Sequence, residues 1–160
     1  MNAQRLAAAL LALLAPSTTA SAFNQPTDLR GITTVHISVS DLPGELAAGG
    51  MQKEALAAHL EEALKSGGLT VLPGAPTDTV PTISLRVSAA RAPGGRIYAV
   101  DVALACLDNV TSLRVAGPMS AVTWSRDVLS LLGAVDQARV AASESSLVDL
   151  FLSDWLLANQ

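Results

Sequence analysis

The chain has 160 residues, half of them hydrophobic, 15% charged, and a formal net charge of −4. That length suits one domain with one core, and an acidic surface without any basic cluster interleaved with aromatics counts against nucleic acid as a partner. A single cysteine, Cys106, excludes an intrachain disulfide, and two histidines without ligand-spaced companions supply no metal set.

The first residues read as an export signal. Arg5 provides a positive charge, Leu6 to Ala15 an apolar run, and Pro16 breaks that run before the small polar stretch Ser17 to Ala22. The run falls short of the about 20 apolar residues that a spanning helix needs, so no integral membrane anchor is expected. Small residues in Ala20-Ser21-Ala22 place signal-peptidase cleavage between Ala22 and Phe23. Residues 1–22 are thus read as a signal peptide and 23–160 as a single α+β domain, periplasmic or secreted. Cys106 is too far downstream to accept a lipid at that junction.

Residues 23–30, with Pro26, form an irregular lead-in. "GITTVHISVSDL" then alternates, Val35, Ile37 and Val39 on one face and Thr34, His36, Ser38 and Ser40 on the other, as a half-buried strand does. "PGELAAGG" punctuates it. Met51 to Ser66 is helical in period, with Leu56, Leu60 and Leu64 in register and Glu61 four residues before Lys65 on the solvated side. Gly67-Gly68 stops this helix, "LTVLP" makes a short strand, and "PGAPTDTVP" a loop. "TISLRVSA" turns Ile83, Leu85, Val87 and Ala89 inward and Ser84, Arg86 and Ser88 outward.

Gly94-Gly95 in "RAPGGR" suits a tight reversal, so "IYAVDVALACL" returns antiparallel. Tyr98, Val100, Val102, Leu104 and Cys106 share one of its faces, and Ala99, Asp101, Ala103 and Ala105 the other. "SAVTWSRDV" sets Val122, Trp124 and Val128 against Thr123, Ser125 and Asp127 as a fifth strand. Residues 138–158 form the last helix, burying Leu147, Val148, Phe151, Trp155 and Ala158 on one side. The expected fold is α+β: a two-layer sandwich whose mainly antiparallel four- to five-stranded sheet carries two helices on one face, in the order β-α-β-β-β-β-α.

No catalytic constellation emerges. Neither G-x-S-x-G nor S-x-x-K occurs, neighbouring Glu61 and Glu62 diverge by about 100° around a helix, and Gly94-Gly95 lacks the following lysine and hydroxyl of a phosphate cradle. His36 reads as a solvent-facing strand residue and His59 as a partly packed helix residue. Cys106 sits among apolar residues as a small hydrophobe. The tripeptide at Asn109 matches a glycosylation sequon, which matters only in a glycosylating pathway. No catalytic residue, cofactor or metal ligand is assigned.

What remains is a surface. With both helices on the face of Val35, Ile37, Val87 and Val102, the other sheet face presents His36, Ser38, Ser84, Arg86, Ala99, Asp101, Ala103 and Thr123 as the candidate partner-binding set. Small side chains there admit close approach by another flat surface.

The run of elements from "GITTVHISVSDL" through "EALAAHLEEALKSGGLTVLP" to "SLVDLFLSDWLLANQ" resembles small exported modules of the bacterial envelope, the lipopolysaccharide-assembly lipoprotein LptE and the amino-terminal domain of TolB. The resemblance covers nearly the whole mature chain and rests on element order, so it carries no individual residue's role. It implies a non-catalytic protein-binding or assembly module of the envelope, whose partner is another envelope protein or a second copy in a homodimer. A small exported hydrolase pairing a serine with His36 or His59 is the alternative.

Overall fold

The computed structural model describes residues 26–160 apart from Arg96 and residues 112–113, 115–116 and 134–135; the expected signal peptide and its cleavage point lie outside the described residues. A 3-10 turn, Pro26–Leu29, leads into β1, Thr34–Val39. A short helix α1, Gly44–Ala48, and the longer α2, Lys53–Ser66, follow. Then come β2, Thr70–Val71, and three long strands, β3 Thr82–Arg91, β4 Tyr98–Thr111 and β5 Pro118–Leu132. Helix α3, Gln137–Ala158, completes an α+β domain in which α2 and α3 pack on the same side of one five-stranded sheet. "PGELAAGG" does more than punctuate: α1 buries Leu46.

The strand order is β2-β1-β3-β4-β5. β3, β4 and β5 are antiparallel as expected and carry most of the pairing, while β1 pairs in parallel with both β2 and β3, so the sheet is mainly but not purely antiparallel. Alternation fixes which face a side chain takes and says nothing of strand direction. Helix α2 makes the long crossover that parallel β1 and β2 require. β2 ends level with Val35 and β3 begins level with His36 on the other side of β1, so residues 72–81 must cross over β1 from one flank to the other. The helices occupy the inner side, and the loop takes the outer one.

Register sets the faces. Cys106 pairs with Trp124, and Leu107 with Val122, so β5 advances two residues where β4 advances one. This bulge leaves Thr123 unpaired. Trp124 and Val128 face the helices as expected, whereas Val122 is shifted out of their row and lies exposed.

Side-chain chemistry fastens the layers. Trp124 and Phe151 meet edge to face, with centroids 5.2 Å apart and planes at 75°, and both are fully buried. Large aromatics remove about 150–250 Å² each from water, a transfer term of roughly 4–6 kcal/mol apiece at about 25 cal/mol/Å². The Trp124 indole donates to Asp154 Oδ2 at 2.9 Å, and Arg126 lies over its ring and 3.7 Å from the same carboxylate. The Trp155 indole donates to the Ile32 carbonyl at 2.6 Å, and Asn159 accepts from Gly31 N at 2.7 Å while donating to the Leu29 carbonyl. Thus α3 is tied to the segment that enters β1.

The end of α2 is a Schellman motif: Leu69 N donates to the Leu64 carbonyl and Gly68 N to that of Lys65. Gly68 takes the left-handed φ of 101° that the motif requires. Gly67 has an ordinary helical φ of −74°, so its lack of a side chain serves another purpose: a Cβ there would collide with Leu152 of α3.

Two outcomes follow from this packing. Gly67→Ala costs about 1–3 kcal/mol in urea unfolding despite its compatible backbone, and the loss shrinks in a Leu152→Ala background, where the colliding atoms are gone. Burial pushes the Cys106 thiol up to about 11, so the folded protein resists iodoacetamide at about pH 8 and is labelled stoichiometrically once urea unfolds it.

Candidate functional site

Cross-strand partners align the outer sheet face in rows. Ser38 stands beside Ser84, Ala105 and Ser125; Arg86 beside Ala103 and Asp127; Ser88 beside Asp101 and Leu129; Ala90 beside Ala99 and Leu131. Ser38, Ser84, Arg86, Ala99, Asp101 and Ala103 therefore share one surface. The Arg86 guanidinium lies 3.5 Å from Asp101 Oδ2 across neighbouring strands, an exposed contact worth a fraction of a kcal/mol.

Two residues of the expected set behave otherwise. Thr123 occupies the bulge, where its hydroxyl donates to the Cys106 carbonyl at 3.4 Å instead of facing outward freely. His36, expected in solvent, is only 4% exposed. The return loop covers it: Nε2 lies 3.5 Å from Thr77 Oγ1, and its backbone N donates to the Pro81 carbonyl. Nδ1 is buried without a partner. Between this loop and the far end of the β4–β5 hairpin runs a cleft of about 280 Å³, walled by Thr77, Asp78, Ser84, Asp108 and Asn109. Thr77 and Glu144, not serines, are the hydrogen-bond and ion-pair partners of the two imidazoles among the described residues.

The loop leaves the other half of the face open. There β5 is an edge strand of 15 residues, with Leu129 and Leu131 on the outer face at 66% and 72% exposure. Ala99 lies opposite Leu131, and Ile97 at the adjoining hairpin end is also exposed. The signal for these leucines is the alternation of "DVLSLL", which continues the strand past Val128.

A second polar site lies on the helix side. Glu144 of α3 is fully buried although its residue type almost never is. His59 Nδ1 of α2 approaches Glu144 Oε1 to 3.3 Å, yet neither carboxylate oxygen has a hydrogen-bond partner. Burial pushes the Glu144 carboxyl above its usual range, and His59 pulls it partly back. The pair lines a cavity of about 370 Å³ that opens between the two helices. Sequence reasoning placed His59 at the edge of the helix stripe but missed Glu144. No group of three His, Cys, Asp or Glu among the described residues is placed to hold a metal ion.

No family model matches the chain, and no curated protein matches it. Among solved structures, the PelC dodecamer from Paraburkholderia phytofirmans is similar at 17% identity over 77% of this chain and 88% of that one, with a TM-score of 0.39. A minor lipoprotein from Acinetobacter baumannii shares 8% identity over 76% of this chain and 87% of its own, with a TM-score of 0.29. A Xanthomonas campestris protein of the DUF330 family shares 16% identity over 87% and 86% of the two chains, with a TM-score of 0.35. All three are bacterial proteins, one of them a lipoprotein, and neither LptE nor TolB is among them. No helix among the described residues is long and apolar enough to cross a membrane.

Proposed function

We propose that the chain is an exported, non-catalytic binding or assembly module of the bacterial envelope that works through the open half of its outer sheet face. The observation that carries this reading is the pair Leu129 and Leu131, two-thirds or more exposed on a long edge strand. An edge strand offers a row of unpaired N–H and C=O groups, and an exposed apolar one is a template for another strand. Soluble proteins blunt such edges with inward charges, prolines or short length. β5 keeps its length, has Pro118 only at its start, and folds Arg126 back onto Trp124 and Asp154.

The edge suits a second copy of the chain. Two β5 strands related by a twofold axis would pair antiparallel and extend the sheet, with small Ala99 and Ala103 beside the seam. The donors and acceptors of the overlapping edges would then be satisfied, and the leucines of the two copies would stand side by side across the seam. Another envelope protein adding a strand would use the same atoms.

Light scattering on the purified protein tests this. Wild type is expected to self-associate, and Leu129→Lys with Leu131→Lys to weaken association at least about tenfold while circular dichroism stays unchanged. Ala103 lies on β4 and projects from the face rather than the edge, so Ala103→Arg is expected to leave strand pairing intact and to weaken only a partner that lies across the face. A monomeric wild type that also captures nothing from envelope extract would sink the reading.

A further inference from the structure

The cavity between α2 and α3 has a character unlike the rest of the core. Its walls are largely apolar, with Met51, Ala55, Leu56 and Ala141, and its one buried polar group is the Glu144 carboxyl. That group lacks a hydrogen-bond donor on either oxygen. A buried polar group left unsatisfied costs about 1–3 kcal/mol, more when charged, so native interiors pair such groups with protein or bound molecules.

Apart from His59, the basic residues of the two helices do not serve it. All three basic residues of the two helices are engaged elsewhere: Lys53 with Asp41 at 2.8 Å, Lys65 with Glu61, and Arg139 with Asp136 at 3.9 Å. The Asp41 carboxyl, held below its usual range by Lys53, keeps that ammonium occupied. His59 faces the carboxyl from α2 but is itself 47% exposed and lies at the cavity mouth. The turn before α2 presents Met51 and Gln52, and α3 presents Gln137 and Ala141, none of them titratable. The volume, about 370 Å³, falls within the range of small-molecule sites.

We propose that this cavity binds a small organic ammonium compound, its cationic head on the Glu144 carboxylate beside His59 and its apolar body against Met51, Leu56 and Ala141. The head supplies the N–H donors that the buried oxygens lack, and a charge-assisted hydrogen bond to a carboxylate withdrawn from bulk water is among the strongest a protein makes. The hydrocarbon walls favour an apolar body over a bare ammonium ion. The net charge of −4 raises the local concentration of cations further. The site lies on the helix side of the sheet, so it is independent of the outer-face reading.

Benzylamine, with benzyl alcohol and benzoate as neutral and anionic counterparts, is a suitable probe for titration of the purified protein by NMR. Benzylamine is expected to bind at about 1 mM or tighter, shifting the Ala55 and Ala141 methyls and the His59 ring. The alcohol and the acid bind at least about tenfold more weakly. Glu144→Gln keeps the fold and loses that preference. Ala141→Leu, which retains the carboxylate but fills the cavity, abolishes binding. Equal binding of the three probes, or no binding of benzylamine by wild type, overturns the proposal, as does an undiminished amine preference in Glu144→Gln.

A stability measurement separates a ligand site from a structural ion pair. Burial raises the Glu144 pKa above its usual 4.5, so ionising this carboxyl costs more in the folded protein than in the unfolded chain. Its contribution to stability is fully present below that value and is lost as pH rises through the raised one. Glu144→Gln is therefore expected to raise Tm by about 3 °C or more at about pH 7.5, and less at about pH 4. A fall in Tm at the higher pH would make Glu144 a structural partner of His59 and overturn the assignment.

Discussion

Because β1 lies between β2 and β3 and runs parallel to both, the chain must return along the sheet once and then cross over β1, and steric crowding leaves one route for each passage. The return, α2, buries Leu56, Leu60 and Leu64 against the inner face. Once that face is filled, the second passage, residues 72–81, has to cross β1 on the outer one. It therefore roofs His36 and leaves the β4–β5 half bare. A purely antiparallel meander would have joined its strands by hairpins and left the whole outer face open. The asymmetry between a covered end and an open end is a consequence of strand order, which puts β1 between β2 and β3.

The inner layer depends on α3 for closure. Trp124 and Phe151 supply the largest buried surfaces, but it is the polar atoms that fix the helix in register: Asp154 takes the Trp124 indole, and Trp155 and Asn159 reach back to Ile32, Gly31 and Leu29. The contact of Leu152 with Gly67 brings the end of α2 against α3. At their opposite ends the helices part enough to leave the cavity around Glu144. Tight packing at one end and a gap with an unsatisfied acid at the other is the pattern in which local stability has been given up for a site.

Periodicity made most of this legible. The alternation of Val35, Ile37 and Val39 located the first strand, the Leu56-Leu60-Leu64 stripe located α2, and Gly94-Gly95 located the hairpin, where both glycines take positive φ. What escaped was non-local. His36 is polar on a polar face, and its burial comes from a loop some 40 residues later whose path depends on strand order. Val122 alternates correctly with Trp124 in sequence, but a one-residue bulge moves it to the other side. Glu144 lies among serines and alanines on an amphipathic helix, where one acid looks like any solvated charge. Only the position of α2 beside it shows that the stripe facing inward includes that carboxyl.

The two surfaces answer opposite physical problems. At β5 the unsatisfied groups are backbone, periodic and in water, so their need is met by any strand of compatible register, and the leucines beside them decide how firmly it is held. At Glu144 the unsatisfied group is a single carboxyl removed from water, so its need is met by one donor of the right charge and the apolar walls decide what body that donor may carry. The first favours a macromolecule or a second copy and the second a small cation. The sheet stands between them, with Leu85, Val87, Val102 and Leu104 packed into its inner side, so filling one site leaves the other physically accessible. Any coupling between them would have to pass through that packed layer and the pairing of β4 with β5.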